Sequence, residues 1–204
     1  MMNKAGRSAT VTFLMVASAL AAHAYSADKP KLILQITVDQ LRGDLPTRYY
    51  DRLGEGGFRY LWESGVVYPN AHHGHANTET IVGHATLATG AHPAVHGMVG
   101  NLWFDRETGF TTYNVEDSRY RLLTDGAAVD AGTEIDPTQR AARSDGRSPA
   151  AMLVTTFADE LRSNTGGEAK AIGISVKDRG AISMAGHSAN SSPAIITATN
   201  IPPG

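Results

Sequence analysis

The chain has 204 residues, 42% of them hydrophobic and 19% charged, with 18 Lys+Arg against 20 Asp+Glu and a formal charge of −2. This globular composition excludes collagen-like, coiled-coil and wholly disordered chains, and the lack of a basic block argues against a nucleic-acid binder that neutralises phosphates. No cysteine is present, which excludes disulfide scaffolds, cysteine nucleophiles and thiolate metal sites, and leaves His, Asp, Glu and hydroxyl oxygens to hold any metal.

Residues 1–24 read as a signal peptide. Lys4 and Arg7 form a basic start, residues 9–22 are apolar without a charge, and Ala22-His23-Ala24 is a small-x-small cleavage site. The alternative is a buried N-terminal helix. The apolar stretch is shorter than the about 20 residues of a membrane span, so no span is expected after cleavage. Cleavage leaves 16 basic against 20 acidic residues, a charge of −4. The expected address is the periplasm or the exterior.

The remaining 180 residues suit one domain or one part of a larger one. Residues 31–38 (Lys-Leu-Ile-Leu-Gln-Ile-Thr-Val) are a nearly continuous aliphatic and β-branched run ending at Asp39, the pattern of a strand buried on both faces of a parallel sheet. Tyr49, Leu53, Tyr60 and Leu61 allow a helix before Ser64-Gly65, weakened by Gly56-Gly57 at about 1 kcal/mol each. Residues 66–68 read as a second short strand, 69–79 as loop, and 80–89 as a helix with Gly90 as its stop. Residues 100–134 are polar with little periodicity and read as a surface insertion. Ser148-Pro149 is predicted to open a helix with Met152, Leu153, Phe157 and Leu161 on one face, stopped at Gly166-Gly167. Residues 169–176 then read as another buried strand, with Lys177-Asp178-Arg179 at its end. The order β-α-β-α-α-β predicts an α/β sandwich, without internal repeats.

In open α/β sheets ligands bind beyond the carboxyl ends of strands, where Asp39, Lys177 and Arg179 stand. An acid there is either a metal ligand fixed on a rigid element or a loop-initiating cap, and a lone Asp is more often the cap. Thr80 opens a predicted helix, so its hydroxyl faces unpaired amides and the positive end of the dipole. It is a nucleophile only if a metal lowers its pKa; otherwise Thr78 or Thr80 merely caps the helix.

Three motifs in order carry a resemblance. Residues 77–90 (Asn-Thr-Glu-Thr-Ile-Val-Gly-His-Ala-Thr-Leu-Ala-Thr-Gly) and 93–101 (Pro-Ala-Val-His-Gly-Met-Val-Gly-Asn) resemble the nucleophile region of the alkaline phosphatase superfamily. The likeness is to its threonine-nucleophile branch, which joins phosphate-irrepressible alkaline phosphatases with type I phosphodiesterase–nucleotide pyrophosphatases. Residues 38–44 (Val-Asp-Gln-Leu-Arg-Gly-Asp) resemble the strand-end motif that supplies the first zinc aspartate. Residues 175–182 (Ser-Val-Lys-Asp-Arg-Gly-Ala-Ile) with Ala185-Gly186-His187 resemble the Lys-x-Arg segment of the monoesterase branch.

The resemblance implies an alkaline-phosphatase-like α/β sandwich of a mostly parallel sheet between helices, here incomplete. It implies that Thr80 attacks phosphorus to form a phosphothreonine, and that Asp39 and the Thr80 oxygen ligate one of two zinc ions. Asn101, Lys177 and Arg179 would hold phosphoryl oxygens, and the last two point to a small-molecule phosphate monoester. These roles agree with the chemistry, since a dianionic phosphoryl group needs paired metals and fixed cationic donors. Arg offers a planar fork and Lys a compact charge.

His72, His73 and His75 have metal-like density, but the family takes its histidine ligands from a later region. A loop shaped by imidazole hydrogen bonds is the expectation. His84, His92 and His96 fall inside the motif and are expected to support its backbone; Glu79 as a general base is redundant beside a metal. Family members run to well over twice this length, with their remaining zinc ligands after position 204. Residues 25–190 therefore read as the N-terminal part of a catalytic domain. Residues 191–204 carry no charge and read as an atypical tail from a truncation or frame change. A zinc phosphatase, a diesterase of the same superfamily, and a non-catalytic fragment remain the functional readings; Lys177 and Arg179 disfavour the diesterase.

Overall fold

The computed structural model describes residues 30–123, 132 and 134–190. The expected signal peptide at 1–24 and atypical tail at 191–204 lie outside the described residues. The chain divides into two compact units, residues 1–37 and 38–204. In the first, residues 30–37 carry no assigned strand, and Leu32, Leu34 and Ile36 are exposed.

The second unit contains α1 (Leu45–Arg48), a 3-10 turn (Tyr50–Arg52), α2 (Phe58–Ser64), α3 (Thr80–Thr89) and α4 (Pro93–His96). These are followed by β1 (Leu102–Asp105), β2 (Phe110–Tyr113), α5 (Pro137–Arg140), α6 (Phe157–Asn164) and α7 (Asp178–Ala185). The α3 bounds coincide with the predicted helix. Its stop is physical: Gly90 adopts φ 68° and donates its N–H to the Thr86 carbonyl at 2.9 Å, a left-handed cap favourable to glycine. The helix expected from Tyr49 to Leu61 is broken in two, with residues 53–57 outside any helix and Gly57 at φ 59° opening α2. The Gly56-Gly57 penalty wins there.

The core gathers Ile81, Val82 and Ala85 of α3, Met98, Tyr113, Val115, Met152 and Ile182 of α7. Each large apolar side chain fully buried there contributes about 1.5–3 kcal/mol. Residues 100–134 are therefore not simply a surface insertion. Their first part is a hairpin with Leu102 opposite Tyr113 and Asp105 opposite Phe110, and it delivers Tyr113 and Val115 to the core. Four-residue strands are too short to show periodicity. The hairpin turn is closed by Asp105, whose Oδ1 accepts the N–H of Glu107 at 2.8 Å.

The helix predicted from Ser148-Pro149 starts only at Phe157. Thr156 and Asp159 form a capping box: Thr156 Oγ1 accepts Asp159 N–H at 3.1 Å, and Asp159 Oδ2 accepts Thr156 N–H at 2.8 Å. That reciprocal pair outweighs the apolar spacing, and Leu153 and Phe157 lie exposed. Asp159 also accepts Ser188 N–H at 2.6 Å. Gly186, at φ 77°, lies so close that a Cβ there would come 2.2 Å from Thr156 Oγ1.

The strands expected at 31–38, 66–68 and 169–176 are not assigned as strands and form no ladder; the one sheet among the described residues is the β1–β2 hairpin. Residues 171–176 alternate like a strand with one covered face. Ala171 and Gly173 are buried, while Ile172, Ile174 and Val176 are exposed. A Cβ on Gly173 would meet the Ala181 carbonyl at 2.3 Å, so this segment's backbone packs directly on α7. Strands need lateral partners, and these segments find none within the hairpin.

Candidate active site

Asp39 stands in a tight turn, closed by Leu41 N–H donating to the Val38 carbonyl at 3.4 Å, with Gln40 at φ 59°. A non-glycine residue at positive φ costs of order 1–3 kcal/mol and persists where its surroundings hold it, commonly at functional sites. The carboxylate meets the start of α3: Thr80 Oγ1–H donates to Asp39 Oδ2 at 3.2 Å. Thr80 is the first residue of α3 and does not cap it; Glu79 takes the N-cap position, and its side chain makes no capping bond to the helix. Its hydroxyl is thus engaged by an acid 41 residues away rather than by its own first turn.

Asn101 is fixed from both sides. Its Oδ1 accepts Ile81 N–H at 3.2 Å, an otherwise orphan donor of the first turn of α3. Its main-chain N–H donates to Glu79 Oε2 at 2.5 Å, and its carbonyl accepts Asn114 Nδ2–H at 2.7 Å. Glu79 therefore orients Asn101 and does not address Thr80. Asn77 continues this bracing, its Nδ2–H donating to the Val99 carbonyl at 2.8 Å.

Lys177 and Arg179 flank the start of α7 and converge on Asp136. Asp136 Oδ2 accepts from Lys177 Nζ at 2.6 Å and from Arg179 Nη2 at 2.8 Å. Arg179 Nη1 reaches Tyr113 Oη and Thr138 Oγ1, each at 3.3 Å. Burial pushes the Asp136 carboxyl up, but hydrogen bonds from Lys177, Thr138 and Arg179 outweigh it and hold the group well below the usual carboxylate range. Behind Arg179, Asp178 Oδ1 accepts Tyr113 Oη–H at 2.6 Å, and Oδ2 accepts Arg147 Nε–H at 2.6 Å. Burial and the Asp178 charge push the Tyr113 phenol far up, so it remains a donor.

α3 packs on α7. His84 stands at that contact: it donates Nδ1–H to the Thr80 carbonyl at 2.8 Å, and its Nε2 would lie 3.9 Å from a Cβ on Gly180. The sequence-predicted residues thus form two groups, Asp39–Thr80–Asn101 around the start of α3 and Lys177–Arg179 at the start of α7. Sequence reasoning missed Asp136, Tyr113, Asp178 and Arg147. Only Asp136 carried a local signal, as the acid of Asp136-Pro137, a helix-cap pair.

The histidines are bonded as loop supports. His96 Nδ1 accepts Met98 N–H at 3.1 Å, so a neutral His96 donates Nε2–H to Thr86 Oγ1 at 3.1 Å. Thr86 then donates to His75 Nε2 at 2.9 Å, and His75 donates Nδ1–H to the Asn77 carbonyl at 2.7 Å. His72 Nε2 pairs with Asn70 Oδ1 at 2.9 Å. Among the described residues no group of three or more His, Asp or Glu could hold a metal. The oxygens of Asp39 and Thr80 fit a zinc ion in type, but two are fewer than the three protein ligands of a catalytic zinc. Among the described residues no helix is long and apolar enough to cross a membrane.

Residues 33–183 match the family model described as type I phosphodiesterase / nucleotide pyrophosphatase. The alkaline phosphatase PhoV of Synechococcus elongatus is 38% identical over 162 residues, covering 79% of this chain and 27% of PhoV. The crystal structure of wild-type alkaline phosphatase PafA superposes with a TM-score of 0.67 at 32% identity, over 79% of this chain and 28% of that one. A PafA variant with one Thr→Ser, one Asn→Ala, one Lys→Ala and one Arg→Ala substitution gives the same TM-score at 30% identity, over 79% of this chain and 29% of that one. The chain spans less than a third of the length of the curated relatives it matches. Its fold is the corresponding part of the PafA fold, and the one two-stranded sheet among the described residues is consistent with an incomplete α/β domain.

Proposed function

Since the chain belongs to the type I phosphodiesterase / nucleotide pyrophosphatase family of the alkaline phosphatase superfamily, we propose that its site serves hydrolysis of phosphate monoesters. The observation that carries this is the meeting of Thr80 with Asp39 at the start of α3. A hydroxyl held there by a distant acid, outside the capping role, is placed for nucleophilic rather than structural work. The substituted PafA variant supports the rest of the set. Its Thr and Asn lie 21 residues apart and its Lys and Arg two apart, the separations of Thr80 from Asn101 and Lys177 from Arg179 here.

In this reading the Thr80 oxygen attacks phosphorus, a P–O bond to Thr80 forms, and the ester P–O bond breaks as the alcohol leaves with a proton. Water then cleaves the phosphothreonine and regenerates the hydroxyl, releasing inorganic phosphate. Asp39 orients the Thr80 O–H. Asn101, whose Oδ1 is occupied by Ile81, turns its amide NH2 toward a phosphoryl oxygen. Lys177 and Arg179 offset the second negative charge that distinguishes a monoester from a diester. Zinc, held in part by Asp39 and Thr80, supplies Lewis-acid activation of the hydroxyl when bound. Two such ions are expected, with ligands beyond this chain's two oxygens. Residues 1–24 fit export to the periplasm or exterior, where small phosphate esters are the substrates.

The test compares kcat/KM for an aryl phosphate and an aryl methyl phosphate diester in a protein carrying this chain at its relatives' full length. Monoester preference is expected, and Lys177→Ala should narrow it by roughly 1–3 kcal/mol. Diester preference would sink the assignment and favour a nucleotide pyrophosphatase.

A further inference from the structure

We propose that Asp136 is an internal counter-anion of the phosphate site, which a phosphoryl group must displace from Lys177 and Arg179 before either cation can hold it. This deepens the monoesterase reading and rests on it for the role of the two cations. One oxygen, Asp136 Oδ2, accepts from both Lys177 and Arg179, at 2.6 and 2.8 Å. That is the arrangement a phosphoryl oxygen would adopt between the same donors. The carboxylate is anchored rather than drifting: its Oδ1 accepts Thr138 N–H at 3.0 Å and Thr138 Oγ1–H at 2.6 Å, capping α5.

Arg179 has no open face while Asp136 is in place. Its side chain is 3% exposed, and its Nη groups are taken by Asp136, Tyr113 and Thr138. Its Nε is buried without an acceptor among the described residues, so an anion reaches the guanidinium only by taking the place of Asp136. Lys177, 40% exposed, is the side from which an anion enters. Asp136 sets a threshold of charge. Two cations and one carboxylate leave one net positive charge, so a singly charged diester gains little by replacing Asp136. A dianionic monoester engages both cations and gains more. Asp136 thus acts as a specificity-determining residue that weakens ground-state binding of product phosphate.

The test is inorganic phosphate binding to the chain by titration calorimetry at low ionic strength. Asp136→Asn keeps the shape and removes the charge, while Asp136→Ser keeps a good cap and guards against misfolding of the first variant. Both should bind phosphate about tenfold more tightly than the wild type, as expected when a like charge leaves a partly screened site. Adding Lys177→Ala to either should abolish that gain. Unchanged, weaker or unmeasurable binding in both Asp136 variants overturns the proposal. If binding falls with Lys177→Ala but does not rise with the Asp136 variants, only the counter-anion role fails. Binding indifferent to both Lys177→Ala and Arg179→Ala removes the monoesterase reading itself.

Discussion

Lys177 and Arg179 share Asp136 but should differ sharply when each is truncated to alanine. Arg179 lies 3% exposed and Asp136 10%, and Arg179 also holds Tyr113 and Thr138. Removing Arg179 leaves the buried Asp136 only the more exposed Lys177 as counter-charge, so the cost approaches the about 3–5 kcal/mol of a broken buried ion pair. The Lys177 side chain is 40% exposed, where an ion pair is worth about 0–1 kcal/mol after screening and side-chain entropy. With a urea dependence of about 2 kcal/mol per molar, Arg179→Ala should lower the unfolding midpoint by roughly 1.5–2.5 M, against less than about 0.5 M for Lys177→Ala. Trp103, packed against the core, provides the fluorescence signal. Equal shifts for the two variants, or an Arg179→Ala shift below about 0.5 M, would refute the reasoning from burial. Under the proposed monoesterase reading activity should not follow the same ranking, because both cations would hold the phosphoryl group.

Thr80→Ala should abolish turnover while changing stability by no more than about 1 kcal/mol, and Thr80→Ser should retain substantial activity; near-wild-type rates in the alanine variant would reduce Thr80 to a structural hydroxyl. Burial, aided by the neighbouring His75 and His92, holds His96 below its ordinary 6.5, so the folded state prefers it neutral. The unfolded chain then takes up the proton first as pH falls, so this contribution is complete above about pH 6.5 and declines below it. A urea midpoint flat between pH 7.5 and about 5 would count against it, as would a His96→Gln variant with the same slope. The 204-residue chain alone should show no phosphatase turnover with added zinc and should self-associate through exposed Ile172, Ile174 and Val176. Zinc-dependent turnover by a monomer would reopen the His72, His73 and His75 loop as a metal site.

The elements legible in the sequence were those whose signals are local. Helix 80–89 was read to the residue because its apolar positions and the Gly90 stop act within one helix. The alternating burial of 171–176 agrees with the strand expected there, but no strand is assigned, since a ladder depends on partners elsewhere in the chain. The helix from Ser148 failed because Thr156 and Asp159 satisfy each other and reset the start. Within the site, Thr80, Asp39, Asn101, Lys177 and Arg179 came from motif resemblance. Asp136, Tyr113 and Asp178 stayed hidden because their meaning lies in contacts across 41 to 66 residues.

Asp178 has a kinetic consequence. It joins Arg147, 31 residues upstream, and Tyr113, 65 upstream. Closing the longer loop costs only about 0.6 kcal/mol more than the shorter, because closure entropy grows with the logarithm of length. Neither contact therefore has a strong entropic head start. Both contacts need the first turn of α7, which carries Asp178 and Arg179 together. Substitutions at Tyr113, Arg147 and Asp178 should then move folding and unfolding rates in matching proportion, with the Arg179 guanidinium settling at the same moment as the helix that bears it.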